Sequence, residues 1–112
     1  MGNQDASELL PGTLDLLILK ALARESMHGY GIAQHLRMVS EDVLQVGESS
    51  LYPALQRLLL KGWVAAEWGA SENNRRARFY KLTPAGRRQA TIERREFDRM
   101  ILAINRVLNF AK

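Results

Sequence analysis

From Leu14 to Ala23 the chain has eight apolar residues in ten, broken only by Asp15 and Lys20. The run is about half as long as a bilayer span, so it is no membrane segment. With Thr13 as N-cap and Asp15 in the first turn it predicts a helix that is apolar on nearly every side. Such a helix must be covered on more than one face. A chain of 112 residues makes about one domain. It has few elements to spare for that cover, which points to a second subunit.

Composition narrows the chemistry. At 46% hydrophobic and 25% charged residues, the chain has the make-up of a folded domain and not of a disordered one. The absence of cysteine excludes a disulfide framework, a thiolate zinc site and a cysteine nucleophile. His28 and His35 have no companion ligands, so no metal site and no cofactor is expected. Gly29 and Gly31 form a GxG without a preceding strand or a third glycine, which is no dinucleotide fingerprint. No nucleophile elbow, carboxylate pair or phosphate loop is present, so no catalytic residue is assigned and an enzyme is not expected. No basic segment followed by an apolar one opens the chain. The expected location is cytoplasmic, without membrane association.

The net charge of +4 is unevenly spread. Residues 1–56 hold three basic against seven acidic residues, a net of −4, whereas residues 57–112 hold 13 against five, a net of +8. Twelve of the 16 cations are arginines, the side chain best suited to gripping phosphate. A basic half on a small cysteine-free domain suggests nucleic acid first and an anionic membrane second, with a merely solvated basic face as the plain alternative.

Residues 1–11 read as a polar lead-in closed by a Pro11-Gly12 turn. After the first helix, residues 26–31 predict a turn, and Ile32, Leu36 and Val39 a second helix reaching about Ser40. Residues 42–47 form a short extended connector. Pro53 is tolerated only in a first helical turn, which puts the N-cap of the third helix at Ser50 or within a residue of it. Leu51, Ala54, Leu55, Leu58 and Leu59 make its apolar face, and Gly62 ends it. Residues 63–68 and 78–82 predict two strands joined by a long polar loop. Thr83-Pro84 then caps a helix running towards Phe110, with Phe97, Met100, Ile101, Ile104, Val107, Leu108 and Ala111 at helical spacing. Three helices followed by a two-stranded wing make a winged helix-turn-helix of the α+β class, mainly α. Residues 12–83 are expected to form this winged domain and residues 84–112 a long C-terminal dimerisation helix.

Two constellations could carry function. The third helix leaves Tyr52, Pro53, Gln56 and Arg57 facing outward, with Ser49 and Ser50 at its N-terminus, where free N–H groups and hydroxyls suit phosphate and base edges. Alone it could equally be an ordinary amphipathic helix. The hairpin loop carries Asn73, Asn74, Arg75 and Arg76, suited to a DNA backbone or minor groove, though Asn and Arg also make solvated turns. A reading helix followed directly by a basic hairpin favours double-stranded DNA. The last helix has arginines beside its apolar stripe, but Glu93, Glu96 and Asp98 interleave, which suits a protein partner better than lipid. The candidate dimer contacts are Leu16 and Leu19 on the first helix and Phe97, Ile101, Ile104 and Leu108 on the last. Trp63 and Trp68 are expected in the core and wing; stacking on a flat ligand is their minority reading.

The segments GTLDLLILKAL (12–22), MHGYGIAQHL (27–36), ESSLYPALQRLLLKGWV (48–64) and RRARFYKLTPAGR (75–87) resemble the PadR family of bacterial transcriptional regulators. The resemblance implies a homodimeric repressor that binds an inverted-repeat operator. It implies reading through Ser49, Ser50, Tyr52, Pro53 and Gln56 on the third helix, with Arg75 and Arg76 on the wing. It also implies dimerisation through the first and last helices, and an answer to small aromatic compounds. The single C-terminal helix matches the short form of the family, so an effector cavity would have to lie at the dimer interface. The alternative function is a winged-helix module used mainly for protein assembly, which would need a large apolar patch on the outer face of the third helix.

Overall fold

Gly12, at φ +85°, turns the chain into the first helix from a left-handed conformation that needs glycine. The computed structural model describes residues 4–5, 9 and 12–111. Its elements run β1 (Gln4–Asp5), α1 (Thr13–Arg24), β2 (Met27–His28), α2 (Gly29–Val39), β3 (Leu44–Gln45), α3 (Glu48–Leu60), β4 (Val64–Ala70), β5 (Arg76–Leu82) and α4 (Pro84–Leu108). Thr13 is the first helical residue of α1 and not its cap, and no side chain caps that end. Pro11 and Lys112 lie outside the described residues, so of the expected Pro11-Gly12 turn only Gly12 can be placed. Within the expected lead-in, β1 pairs in parallel with β3.

Helix α1 is as deeply enclosed as its composition requires. Ile18 and Leu19 are 0% exposed, and Leu14, Leu16, Ala21 and Leu22 are buried around them. The core continues through Ile32 and Leu36 of α2, Leu51, Ala54, Leu55 and Leu58 of α3, Val64 of β4 and Tyr80 of β5. Each of these leucines contributes about 1.5–3 kcal/mol by leaving water.

The expected turn at residues 26–31 is instead two structures. Met27 and His28 form β2 on the edge of β5, opposite Tyr80 and Phe79. Helix α2 starts at Gly29 because His28 is its N-cap: the ring Nδ1 accepts the Gly31 N–H at 3.0 Å. The three-stranded sheet has the order β2-β5-β4, and all its pairings are antiparallel.

Helix α3 begins at Glu48, with Gly47 as N-cap, before the expected Ser50. Pro53 lies inside it and lacks only the N–H that would bond the Ser49 carbonyl, and Ser49 is exposed to water. The extra turn is held by the Ser50 and Leu51 N–H groups, which both donate to the Gly47 carbonyl at 3.1 and 2.9 Å. Its end is as expected. Gly62 sits at φ +76°, its N–H bonds Leu59 O, and the Trp63 N–H reaches back to Leu58 O, a Schellman closure.

The wing strands are longer than expected, seven residues each, so the loop shrinks to residues 71–75. Thr83 caps α4, accepting the Gly86 N–H at 3.0 Å and donating to the Gly62 carbonyl at 2.7 Å. Gly86 lies directly under the Trp63 carbonyl, where a Cβ would collide, so α4 starts flush against the α3–β4 junction. At about 1.5 Å per residue, α4 is some 37 Å long, and among its described residues Gly86 alone is buried. The radius of gyration, 15.3 Å, exceeds the roughly 13 Å of a compact chain of this length. No helix among the described residues is long and apolar enough to cross a membrane.

Candidate nucleic-acid interface

On α3 the buried positions Leu51, Ala54, Leu55 and Leu58 leave Ser49, Tyr52, Pro53 and Gln56 on the opposite, exposed face, with Ser50 half-buried at its margin. The exposed large apolar side chains of α3 are Tyr52, within that face, and Leu60 at the far end of the helix. Tyr52 is held in place by its neighbours. A Cβ at Gly29 would stand 2.5 Å from the Tyr52 hydroxyl, so the bare start of α2 is the seat of the phenol. Burial there pushes the Tyr52 pKa up, with Tyr80 and Glu48 adding to the rise. The phenol stays a neutral donor at physiological pH.

Arg57 is placed differently from the expectation. Its Nη2 lies 2.7 Å from Asp15 Oδ1 and its Nε 3.5 Å from Oδ2, and the hydrogen bond to Asp15 raises its pKa. The Asp15 side chain is 14% exposed against 52% for Arg57. Arg57 therefore ties α3 to α1 and brings little free charge to the exposed face of α3.

The cations nearest that face lie on the wing. Asn73, Asn74, Arg75 and Arg76 are all exposed, and Asn74, at φ +58°, takes the left-handed position that closes the turn. Arg76 and Arg78 project from one face of β5. The Arg76 guanidinium stacks 4.6 Å from the Trp68 ring centre, and that of Arg78 sits 5.8 Å from Tyr80. A stacked guanidinium is pre-oriented and keeps its in-plane N–H fork free for phosphate. Between wing and helices opens a cleft of about 440 Å³, lined by Tyr30, Tyr52, Trp68, Tyr80, Arg75, Arg76 and Arg78 among others. A second crevice of about 630 Å³ runs between α2 and the start of α3, past Gln34, Gln45, Ser49 and Tyr52.

The structure thus brings Ser49, Tyr52, Arg75 and Arg76 to two adjoining clefts and sets Arg57 apart. Sequence reasoning passed over Gly29 and Trp68 as residues of this face. Trp68 and Arg78 are Cα partners across the strands, a pairing that becomes readable once the shorter five-residue loop is known.

The dimer candidates divide in the same way. Leu19 is 0% exposed inside the chain's own core and offers nothing to a partner, which corrects its assignment. Leu16 is 7% exposed but lines a groove between α1 and α4 of about 470 Å³, with Leu17, Ala90 and Phe97 as further walls and Lys20, Arg87, Arg94 and Arg95 around it. Further along α4, Ile101 and Ile104 are half-buried, and Leu108 is 73% exposed. Neither Trp63 nor Trp68 lines that groove.

Known proteins agree with this geometry. A model of the transcriptional regulator PadR-like family matches residues 18–92. The transcriptional regulator Rv3488 of Mycobacterium tuberculosis is 34% identical over 85 residues, covering 76% of each chain. A transcriptional regulator from Clostridium thermocellum superposes with a TM-score of 0.79 at 28% identity, over 90% of this chain and 95% of the other. A PadR family transcription regulator from Clostridium difficile R20291 does so with a TM-score of 0.74 at 28% identity, over 88% and 100%. The chain, a DNA-binding winged-helix regulator and not an enzyme, belongs to the PadR-like family of transcriptional regulators.

Proposed function

We propose that the protein is a homodimeric repressor that binds an inverted-repeat operator in double-stranded DNA, with a winged domain over residues 12–83 and a dimerisation helix from residue 84. The observation that carries this is the pairing of a polar outer face on α3 with arginines stacked on the adjoining wing. Tyr52 and Gln56 read base edges, Ser49 and Ser50 meet phosphate at the helix N-terminus, and Pro53 shapes the face between them. Asn73, Asn74, Arg75 and Arg76 hold the backbone or minor groove beside them.

The second subunit covers the apolar stripe of α4 at Phe97, Ile101, Ile104 and Leu108, together with Leu16 at the α1 groove. A small aromatic effector would enter the α1–α4 groove beside that interface, where Phe97 supplies an aromatic wall and Lys20 and Arg87 supply charge. A protein-assembly role would call for an apolar patch on the outer face of α3, whereas the exposed apolar stripe lies on α4. The repressor acts in the cytoplasm, where the operator is.

Binding to the DNA upstream of its own gene tests the reading. Wild type should shift that fragment. Tyr52→Ala combined with Arg75→Ala and Arg76→Ala should abolish the shift while the dimer persists. An unchanged shift would place the reading surface elsewhere.

A further inference from the structure

His28 touches three elements at once. Its Nδ1 accepts the Gly31 N–H at 3.0 Å and so caps α2. A nitrogen that accepts cannot carry the proton, so the neutral ring holds its proton on Nε2. The backbone of His28 pairs with Phe79 of β5, and the ring packs edge-on against the Phe79 ring at 5.3 Å between centres. Cap and Phe79 together fix the ring plane, and Nε2 then lies 3.5 Å from Glu72 Oε1, in the turn of the wing.

That turn is otherwise self-contained. Ser71 N–H donates to Arg75 O and Asn74 N–H to Ser71 O, both at 2.8 Å, so the turn closes on itself and these bonds open more often when the turn is not held from outside. The Glu72–His28 contact is the one polar tie, among the described residues, from the turn to the helical body. The Glu72 backbone N–H first, and the His28 ring second, hold its carboxyl below the usual carboxylate range.

We propose that His28 is a positioning residue for the wing: capped on one side by Gly31 and facing Glu72 on the other, it holds the turn that carries Arg75 at a set position beside Tyr52. The inference rests on the reading of α3 and the wing as the DNA face. At 3.5 Å the contact is longer than a good hydrogen bond. Its effect is accordingly modest, a bias on where the wing tip rests.

The test separates capping from positioning. His28→Asn keeps a strong N-cap for Gly31 but is too short to meet Glu72. Glu72→Ala removes the other partner. Hydrogen exchange at the Ser71 and Asn74 amides should quicken about two- to fivefold in each single variant, the size expected of a half-exposed pair. The double variant should exchange no faster than either single one. Binding to the upstream DNA fragment should weaken by about the same factor in His28→Asn, which leaves every arginine of the wing in place. In an Arg75→Ala/Arg76→Ala background His28→Asn should change nothing further. Unaltered wing exchange, or effects that add, would reduce His28 to a helix cap and overturn the proposal. If wild type fails to bind the fragment, the DNA reading falls by itself, while the exchange cycle still decides whether His28 holds the wing.

Discussion

A Cβ added to Gly29 would lie 2.5 Å from the Tyr52 hydroxyl and 2.8 Å from the carbon that bears it, so Gly29→Ala must push the phenol outward. The colliding atoms belong to the tip of a half-exposed side chain, and alanine favours a helix over glycine by up to about 1 kcal/mol. Thermal unfolding of Gly29→Ala should therefore match or slightly exceed wild type, while affinity for operator DNA falls. A variant that loses stability and keeps DNA binding would show that Tyr52 is not the reader. Gly62 behaves in the opposite way. At φ +76° a side chain is strained whatever space surrounds it, so Gly62→Ala should cost about 1–2 kcal/mol of stability, read by denaturant unfolding, with little effect on DNA contacts. Tyr52 also gives a pH signature. Its pKa is raised on folding, so the native state holds the phenolic proton more tightly than the unfolded chain does. That contribution is complete below the ordinary tyrosine pKa and is lost as pH rises through the folded one. Tyr52→Phe should flatten the alkaline limb of a stability–pH curve.

At the scale of elements, α3 and the wing divide the work. Helix α3 brings no unpaired cation to its exposed face, because Arg57 is engaged with Asp15, and on the proposed reading the wing supplies the charge. Arg57→Gln should lower stability by about 0.5–1 kcal/mol, since one partner of the pair is largely sheltered and the other is half exposed. It should leave the salt dependence of DNA binding nearly unchanged. Arg75→Ala and Arg76→Ala should each reduce the slope of log affinity against log salt by about 1, Arg75→Ala without a stability cost and Arg76→Ala at about 0.5–1 kcal/mol for its lost stacking on Trp68. Titrating DNA binding against salt distinguishes the two cases. If Arg57→Gln lowered the slope as a wing arginine does, Arg57 would be a phosphate contact after all.

The same elements show what was legible in the sequence. The leucines of α3, the Gly62 stop and the Thr83-Pro84 start are local signals, and the structure keeps them. The start of α3 was misjudged because a proline costs a single hydrogen bond, which exposed Ser49 can make to water. The β2 strand was invisible because it depends on β5, some fifty residues along the chain, and the start of α2 because its cap is a histidine, which is not among the usual capping residues. Arg57 looked outward from its helical position alone. That Asp15 would be there to meet it is a tertiary fact.

For the whole molecule the decisive feature is that α4 outgrows its own domain. Its N-terminal half seals the α3–β4 junction through Gly86 and walls the α1 groove with Ala90 and Phe97, whereas towards the C-terminus Val107, Leu108 and Phe110 are 76%, 73% and 80% exposed. An apolar stripe of this kind asks for a partner, and two-fold symmetry would supply one that is self-complementary and spaces two heads along a duplex. Ile101→Asp combined with Ile104→Asp places two charges on the stripe without touching the buried core, so each chain should still unfold cooperatively. Light scattering should report half the wild-type mass. A single head meets half the phosphates, so the salt slope of binding should also fall by about half, and affinity with it. A dimer would double the chain's net +4 and present two wings, each with exposed Arg75 and Arg76. Losing the dimer therefore removes charge and geometry together. A variant that stays dimeric would move the interface away from α4, whereas a monomer that binds with the full wild-type slope would mean that one head alone reads the operator.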